Sequence, residues 1–325
     1  MTVREGHAVH ADATLADLDE AAILHHILSP PEVPASHQLL GPGDDTALLA
    51  VRTGATLVTT DAMVVGRDWL DEWSSAADVG AKCVAQNLAD IAAMGGVGTG
   101  IVVTLVADAA TPVRWARELS ASIAAACADH DVAVLGGDLS SAPAGVRMVS
   151  ITAMGELTGP PVLRSGAQVG DVVAVSDGLG RSGAGLLLLQ RDSAARDSEF
   201  VRFHLCPQVD YSQGPAAAAA GATSMIDISD GLLRDAGRIA TSSGVRLDLQ
   251  IPALQADVDA LRVQVGDAAL DCVLNGGEEH TLLATFPPRA AIPSAWRRIG
   301  VVEPGAGVSV DGTPVQPGGW DHFSA

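Results

Sequence analysis

Lysine is almost missing from this chain of 325 residues: of nineteen basic side chains only Lys82 is a lysine. A Walker A loop must end in Gly-Lys-Ser or Gly-Lys-Thr, and Lys82 is followed by Cys83, so a P-loop is excluded. Positive charge is scarce as a class, since 39 acidic residues leave a formal charge of -20. Phosphate backbones are gripped by clustered Lys and Arg, so a nucleic-acid partner is not expected, and an anionic substrate would need metal ions as intermediaries. The four cysteines are widely spaced, with no Cys-x-x-Cys pair and no signal peptide ahead of them, as for structural thiols in a reducing cytoplasm. No apolar run reaches the roughly 18 residues of a membrane span. The nine histidines form neither His-x-x-x-His nor His-Glu-x-x-His, which argues against zinc, and no Gly-x-Ser-x-Gly elbow supports a serine hydrolase. Aromatics make up only 3% of a chain that is 48% hydrophobic, so the interior must be built from Ala, Val, Leu and Ile. A soluble, cytoplasmic α/β protein is the expectation.

What is present falls into alternating helical and extended segments. Residues 15–28 read as a short helix stopped by Ser29-Pro30-Pro31, and residues 57–60 and 101–106 as strands. Between those strands, residues 76–94 place Val79, Val84, Leu88 and Ile91 on one stripe, with Gly95-Gly96 as the stop. A further helix is expected with Thr111 as cap and Pro112 at its first position. Residues 132–135 and 146–154 look extended. Residues 155–161 break both patterns, which places a boundary between a domain of residues 1–157 and one of residues 158–325. The second half offers strands at 172–176, 225–228, 245–249 and 281–286, a helix at 231–243 and a charged loop at 191–200. Both halves are therefore expected to be α/β (α+β).

Four aspartate-bearing segments stand out: Gly43-Asp44-Asp45, Thr59-Thr60-Asp61, Gly136-Gly137-Asp138, and Asp227-Ile228-Ser229-Asp230-Gly231. In the last three an apolar, β-rich run feeds into the acidic group, and strand ends are where α/β proteins build ligand sites. Asp90 shares a helical face with Asn87. Clustered carboxylates raise one another's pKa and cost stability, a conflict that a hard, oxygen-seeking cation such as magnesium, together with a polyphosphate, would resolve. Taken singly, each segment reads more readily as a turn or a cap than as a ligand, Gly136-Gly137-Asp138 as a tight turn after a strand and Lys82 as a surface charge. The glycines at 178, 180, 183 and 185 do not give the dinucleotide fingerprint. Phosphoryl transfer is the chemistry that best fits the residues.

The order of the motifs is more specific than any one of them. Gly-Pro-Gly-Asp-Asp ending at Asp45, Thr59-Thr60-Asp61, the run Gln86-Asn-Leu-Ala-Asp-Ile-Ala-Ala-Met-Gly-Gly, Gly136-Gly137-Asp138, Arg164-Ser165-Gly166, the Asp227 segment and Gly276-Gly277-Glu278 together resemble thiamine-monophosphate kinases of the PurM-like superfamily. The match extends from about residue 18 to the closing Trp320-Asp321-His322-Phe323. The resemblance implies a two-domain fold, with an N-terminal sheet that pairs across a homodimer, a C-terminal α/β domain, and active sites in clefts made by dimerisation. It implies direct transfer of the γ-phosphoryl of ATP to thiamine monophosphate. Carried over by position, Asp45, Thr59, Thr60, Asp61, Asp90, Asp138, Asp227 and Asp230 match magnesium-binding residues. Gly137, Asp138, Arg164 and Ser229 match positions that contact ATP, with Asp138, Arg164 and Asp230 closest to the chemistry. Glu278 and Trp320 match the thiamine side.

Two departures fall on the acceptor side. Asp68-Trp69 replaces the family's usual His-Phe, placing a carboxylate where an anionic acceptor would meet about 1 kcal/mol of repulsion at ~4 Å in water, and roughly 4 kcal/mol at an effective dielectric of 20. The usual Gly-Gly-Glu-Asp-Tyr-Glu reads Gly-Gly-Glu278-Glu279-His280-Thr281. Another PurM-like ATP-dependent enzyme, a kinase with a different phosphorylated acceptor, and a nucleotide-binding protein without turnover are the competing readings.

Overall fold

A computed structural model describes residues 12–27, 35–41, 47–316 and 318–320. Gly43-Asp44-Asp45 and the closing residues 321–325 lie outside the described residues, and with them the expectation for Asp45.

The first half pairs two helices with one sheet. A short helix, α1 (Glu20–Ile27), precedes a small ribbon of β1 (Gln38–Leu40) and β2 (Leu48–Leu49). Then follow β3 (Leu57–Val64), α2 (Ala76–Ala93), β4 (Gly96–Asp108), α3 (Val113–Ala128), β5 (Ala133–Ala142) and β6 (Arg147–Leu157). The four long strands form a sheet in the order β3-β6-β4-β5. Ser75 caps α2 by accepting from the backbone N–H of Asp78, whose carboxylate answers back to the Ser75 backbone. The stripe Val79, Val84, Leu88 and Ile91 is buried against Ile101, Val149, Ile151 and Ala153 of the sheet. Each such side chain contributes about 1.5–3 kcal/mol of burial.

Three local expectations change. Pro112 itself holds the N-cap position of α3, while the Thr111 hydroxyl donates to Asp108 Oδ1 at 2.8 Å. Gly96 opens β4 rather than ending α2. Gly136-Gly137-Asp138 is not a turn: it runs inside β5, where Gly136, Gly137 and Asp138 pair with Val102, Val103 and Thr104. A Cβ on Gly137 would stand 1.7 Å from the Val103 carbonyl oxygen, so glycine here serves close strand contact. Asp61 likewise sits within β3, opposite Ile151. Of the three apolar runs, only the one leading to Asp227 ends at its acidic residue.

The second half is a mixed sheet covered by helices. Its elements are β7 (Val172–Val175), α4 (Arg181–Arg191), α5 (Glu199–Leu205), α6 (Gln213–Ala219), β8 (Ser224–Asp227), α7 (Leu232–Ser243), β9 (Arg246–Leu249), α8 (Ile251–Val265), α9 (Ala269–Asn275), β10 (Leu282–Phe286), β11 (Arg297–Glu303), β12 (Gly307–Val310) and β13 (Thr313–Val315). The strand order is β13-β12-β9-β11-β7-β10-β8, with β12 parallel to β9 and the other pairs antiparallel. One core of Val, Leu and Ile unites this sheet with α7, α8 and α9. A smaller one, with Phe286 against Trp296, seats α6 beside the C-terminal end of α2. Among the described residues no helix is long and apolar enough to cross a membrane.

Candidate active site

A cavity of about 740 Å³ opens where α2 and β3 meet the second half. Its wall includes Asp61, Arg67, Asp68, Ser229, Asp230, Glu278 and Trp320.

On the first-half side, strand alternation sends Thr59 and Asp61 toward α2 and Thr60 to the opposite face. The Thr59 hydroxyl donates to Asp90 Oδ2 at 2.6 Å, and the Asp61 backbone N–H donates to Asn87 Oδ1 at 3.1 Å. Asn87 and Asp90 thus act on one helix face, as their spacing requires. Burial pushes the Asp90 carboxyl up to about 7, helped by the charges of Asp227 and Asp61 and opposed by the Thr59 hydrogen bond.

From the second half, β8 delivers Asp227 at its end, and Ser229 and Asp230 follow before α7 begins. Asp227 is 4% exposed, and its Oδ2 lies 3.2 Å from His280 Nδ1. Burial works to strip the proton from His280, but the hydrogen bond and charge of Asp227 outweigh it and hold the imidazole above its usual range. Asp230 pairs with Arg238, which also reaches Asp235 Oδ1 at 2.5 Å. Burial and the charge of Asp227 lift Asp235 to about 7 against the pull of Arg238. Close backbone approach makes this loop possible: a Cβ on Gly231 would meet the Asn275 carbonyl oxygen at 2.7 Å, and one on Gly277 the Ser229 carbonyl oxygen at 2.7 Å.

The segment 278–280 zips onto this loop through Glu278 N–H to Ser229 O at 2.7 Å and His280 N–H to Ile228 O at 2.8 Å. Glu279 turns into the interior. It accepts from Arg181 Nε at 2.8 Å and from the Ser182 backbone at 3.1 Å, and Arg181 lies over the Phe203 ring at 3.9 Å. Glu279 therefore anchors the start of α4 rather than facing an acceptor, while His280 lines the cavity. Asp68 does line the cavity, but its Oδ2 accepts from the Val64 N–H at 2.7 Å and closes the turn after β3. Arg67 stands 5.5 Å from the ring of Trp320, whose backbone N–H donates to Asp230 O at 3.0 Å.

Several expected residues stay apart. Thr60 accepts from the Thr152 hydroxyl on the other face of the sheet. Asp138 is exposed on that same face, its Oδ2 accepting from Ser140 Oγ at 2.8 Å. Asp61 aligns across the sheet with Ile151, Val103 and Gly137, so Gly137 and Asp138 lie three strand spacings away, roughly 14 Å. Arg164 is exposed in a single 3₁₀ turn, outside the cavity wall. One protomer does not gather the whole set, because pairing and alternation fix each side chain's face and distance.

Sequence reasoning missed the counter-charges. Lys82 is not a surface charge: it is 4% exposed and its Nζ lies 2.6 Å from Glu278 Oε1. Its spacing of eight residues from Asp90 on one helix was the available signal. The i,i+3 spacing of Asp235 and Arg238 was another.

Among the described residues no group of three or more His, Cys, Asp or Glu side chains stands at mutual metal-ligating distance. Magnesium ordinarily takes one or two carboxylates and fills its octahedron with water and phosphate oxygens. Asp90, whose ionised form is opposed by burial and by the charges of Asp227 and Asp61, fits that need together with those two carboxylates.

Residues 43–157 match the family model for the N-terminal domain of AIR synthase related proteins, which makes this a PurM-like protein. The Mycobacterium tuberculosis (strain H37Rv) thiamine-monophosphate kinase is 43% identical over 329 residues, 99% of this chain and 97% of that protein. The structure described as AaThiL complexed with AMPPCP and TMP superposes with a TM-score of 0.78 at 31% identity, covering 86% of this chain and 91% of that one. The crystal structure of thiamine-monophosphate kinase from Stenotrophomonas maltophilia K279a gives 0.77 at 32% identity, covering 91% and 96%. The chain belongs to the thiamine-monophosphate kinase family.

Proposed function

We propose that this chain transfers the γ-phosphoryl group of ATP directly to the phosphate of thiamine monophosphate, giving thiamine diphosphate and ADP in the last step of thiamine diphosphate formation, in the cytoplasm. The observation that carries the reading is the convergence of Asp61, Asp230, Ser229, Glu278 and Trp320 on one cavity, with Asp90 and Asp227 standing behind it.

Phosphoryl transfer asks little covalent help of a protein, so positioning and charge neutralisation supply most of the catalysis. Magnesium held by Asp61, Asp90, Asp227 and Asp230 would neutralise phosphate charge and align donor and acceptor oxygens. Thr59 and Asn87 orient Asp90 and the Asp61 backbone; His280 and Arg238 orient Asp227 and Asp230. Ser229 offers a hydroxyl to a phosphate, and Trp320 a ring face to the organic part of the acceptor. The acceptor phosphate is already ionised near neutral pH, so no protein base or nucleophile is required.

Thr60, Gly137 and Asp138 enter this scheme through a second copy. The face that carries Thr60 and Asp138 also exposes Val58 and Val102, at 63% and 37%, which supports pairing of two such sheets. The cleft then combines Asp61 of one protomer with Gly137 and Asp138 of its partner, and Arg164 closes on the nucleotide.

Purified protein with magnesium-ATP and thiamine monophosphate should yield thiamine diphosphate and ADP in equal amounts, and magnesium chelation should stop it. ATP binding without the diphosphate would overturn the acceptor; no nucleotide binding would overturn the kinase.

A further inference from the structure

Lys82 is a charge buried between elements far apart in the chain. It projects from α2, while Glu278 follows α9 and lines the cavity, and the two meet at 2.6 Å. The second Glu278 oxygen is 3.5 Å from His204 Nδ1, which lies 3.0 Å from the Ser182 hydroxyl. Glu278 has φ of +56°, a left-handed backbone that few non-glycine residues adopt and that surrounding contacts must enforce. Its N–H bond to Ser229 O fixes the backbone, and Lys82 fixes the other end. Burial drives His204 down to about 3, with the nearby Lys82 charge adding to it, so the imidazole stays neutral. Burial works to raise the Glu278 pKa, and the Lys82 ammonium outweighs it and holds the carboxyl below its usual range.

Without its counter-charge the half-buried Glu278 carboxylate, its side chain 29% exposed, would either turn away or repel an anionic ligand. We propose that Lys82 is a positioning residue for the phosphorylated acceptor, holding the Glu278 carboxylate in the one orientation that meets the organic part of thiamine monophosphate. The inference rests on the acceptor-side reading of Glu278 given above. Lys82 pairs with the Glu278 side chain, so its effect belongs to acceptor affinity.

The test compares Lys82→Met, Glu278→Gln and the double variant by steady-state kinetics and thermal melting. Lys82→Met should raise the acceptor KM at least about 10-fold and leave half-saturation by magnesium-ATP within about 2-fold. The double variant should show the acceptor KM of Glu278→Gln alone, because one residue acts through the other. Its Tm should lie above that of Lys82→Met, since removing both charges leaves no unpaired, half-buried carboxylate. Recovery of Tm without recovery of KM separates positioning from mere packing, and the double variant keeps the test open if Lys82→Met does not fold.

Because the chain has one lysine, amine-reactive labelling followed by mass spectrometry reads the pair without any turnover. Glu278→Gln should increase labelling of Lys82 several-fold. An unchanged acceptor KM in Lys82→Met, multiplying effects in the double variant, or labelling indifferent to Glu278 would overturn the inference. Wild-type protein that makes no thiamine diphosphate in the same assay would instead overturn the functional reading.

Discussion

Thr59 and Thr60 are neighbours in one motif, yet β3 sends them to opposite faces of the N-terminal sheet. On the α2 face, Thr59 and Asp61 are enclosed by a helix and the second half, and their partners Asp90 and Asn87 are set within a single chain. On the open face, Thr60 has Thr152 beside it while Asp138 and Val58 are exposed. A contiguous motif is thus divided between an enclosed face and an open one.

The strongest way to separate the two faces is to disable one in each of two proteins. Asp61→Asn and Asp138→Asn should each lower turnover at least about 100-fold, since losing one charge that positions metal and phosphate costs several kcal/mol in the transition state. Mixed and re-equilibrated, the two inactive variants should recover about a quarter of wild-type activity, because half the dimers are then mixed and each carries one intact site. No recovery would place both residues in one protomer's site or outside the chemistry.

A milder break targets the open face alone. Val58→Asp should leave a folded monomer by size-exclusion chromatography, with activity reduced about 10-fold or more, because a charge on an apolar pairing face opposes association. A fully active monomer would remove the second copy from the mechanism.

On the enclosed face, Asp90→Asn tests charge crowding. The Asp90 carboxyl titrates at about 7 in the fold against an ordinary 3.8. The folded state holds a proton that the unfolded chain releases, so this stabilisation is complete below about pH 4 and is lost as pH rises through about 7. Without divalent cation at pH 8, Asp90→Asn should melt a few degrees above wild type, and the gap should vanish at low pH and close on adding magnesium. A wild-type Tm indifferent to magnesium would count against Asp90 as a cation ligand.

The smallest effect belongs to Asp68. Its carboxylate caps the turn through Val64, so Asp68→Asn, which still accepts that hydrogen bond, should change the acceptor KM less than about 3-fold. A large improvement would show that its charge opposes the acceptor.

Much of the fold was legible. The stripe of α2 and the strand leading to Asp227 follow from local spacing and propensity, which is why residues 76–94 read so closely as a helix. The later strands β11, β12 and β13 were not legible, since short runs such as Thr313–Val315 earn their strand state only by pairing. The pairing of Gly136-Gly137-Asp138 inside β5 was hidden because glycine is a turn signal locally and a close-contact signal between strands. Lys82 and Glu279 were misplaced for a related reason: a charged residue is exposed by default, and only a partner elsewhere in the chain makes its burial tolerable.

The sequence by itself determined the chemistry on offer: a chain nearly without lysine, rich in aspartate, with its acidic motifs in an order that identifies a family. It determined the two α/β halves as well, because periodicity and breakers are local properties. Only the tertiary structure decided which carboxylates share a cavity, which stand across the sheet, and which cations neutralise them. Those outcomes depend on strand pairing, alternation and distance, which are set when segments far apart in the chain pack against one another.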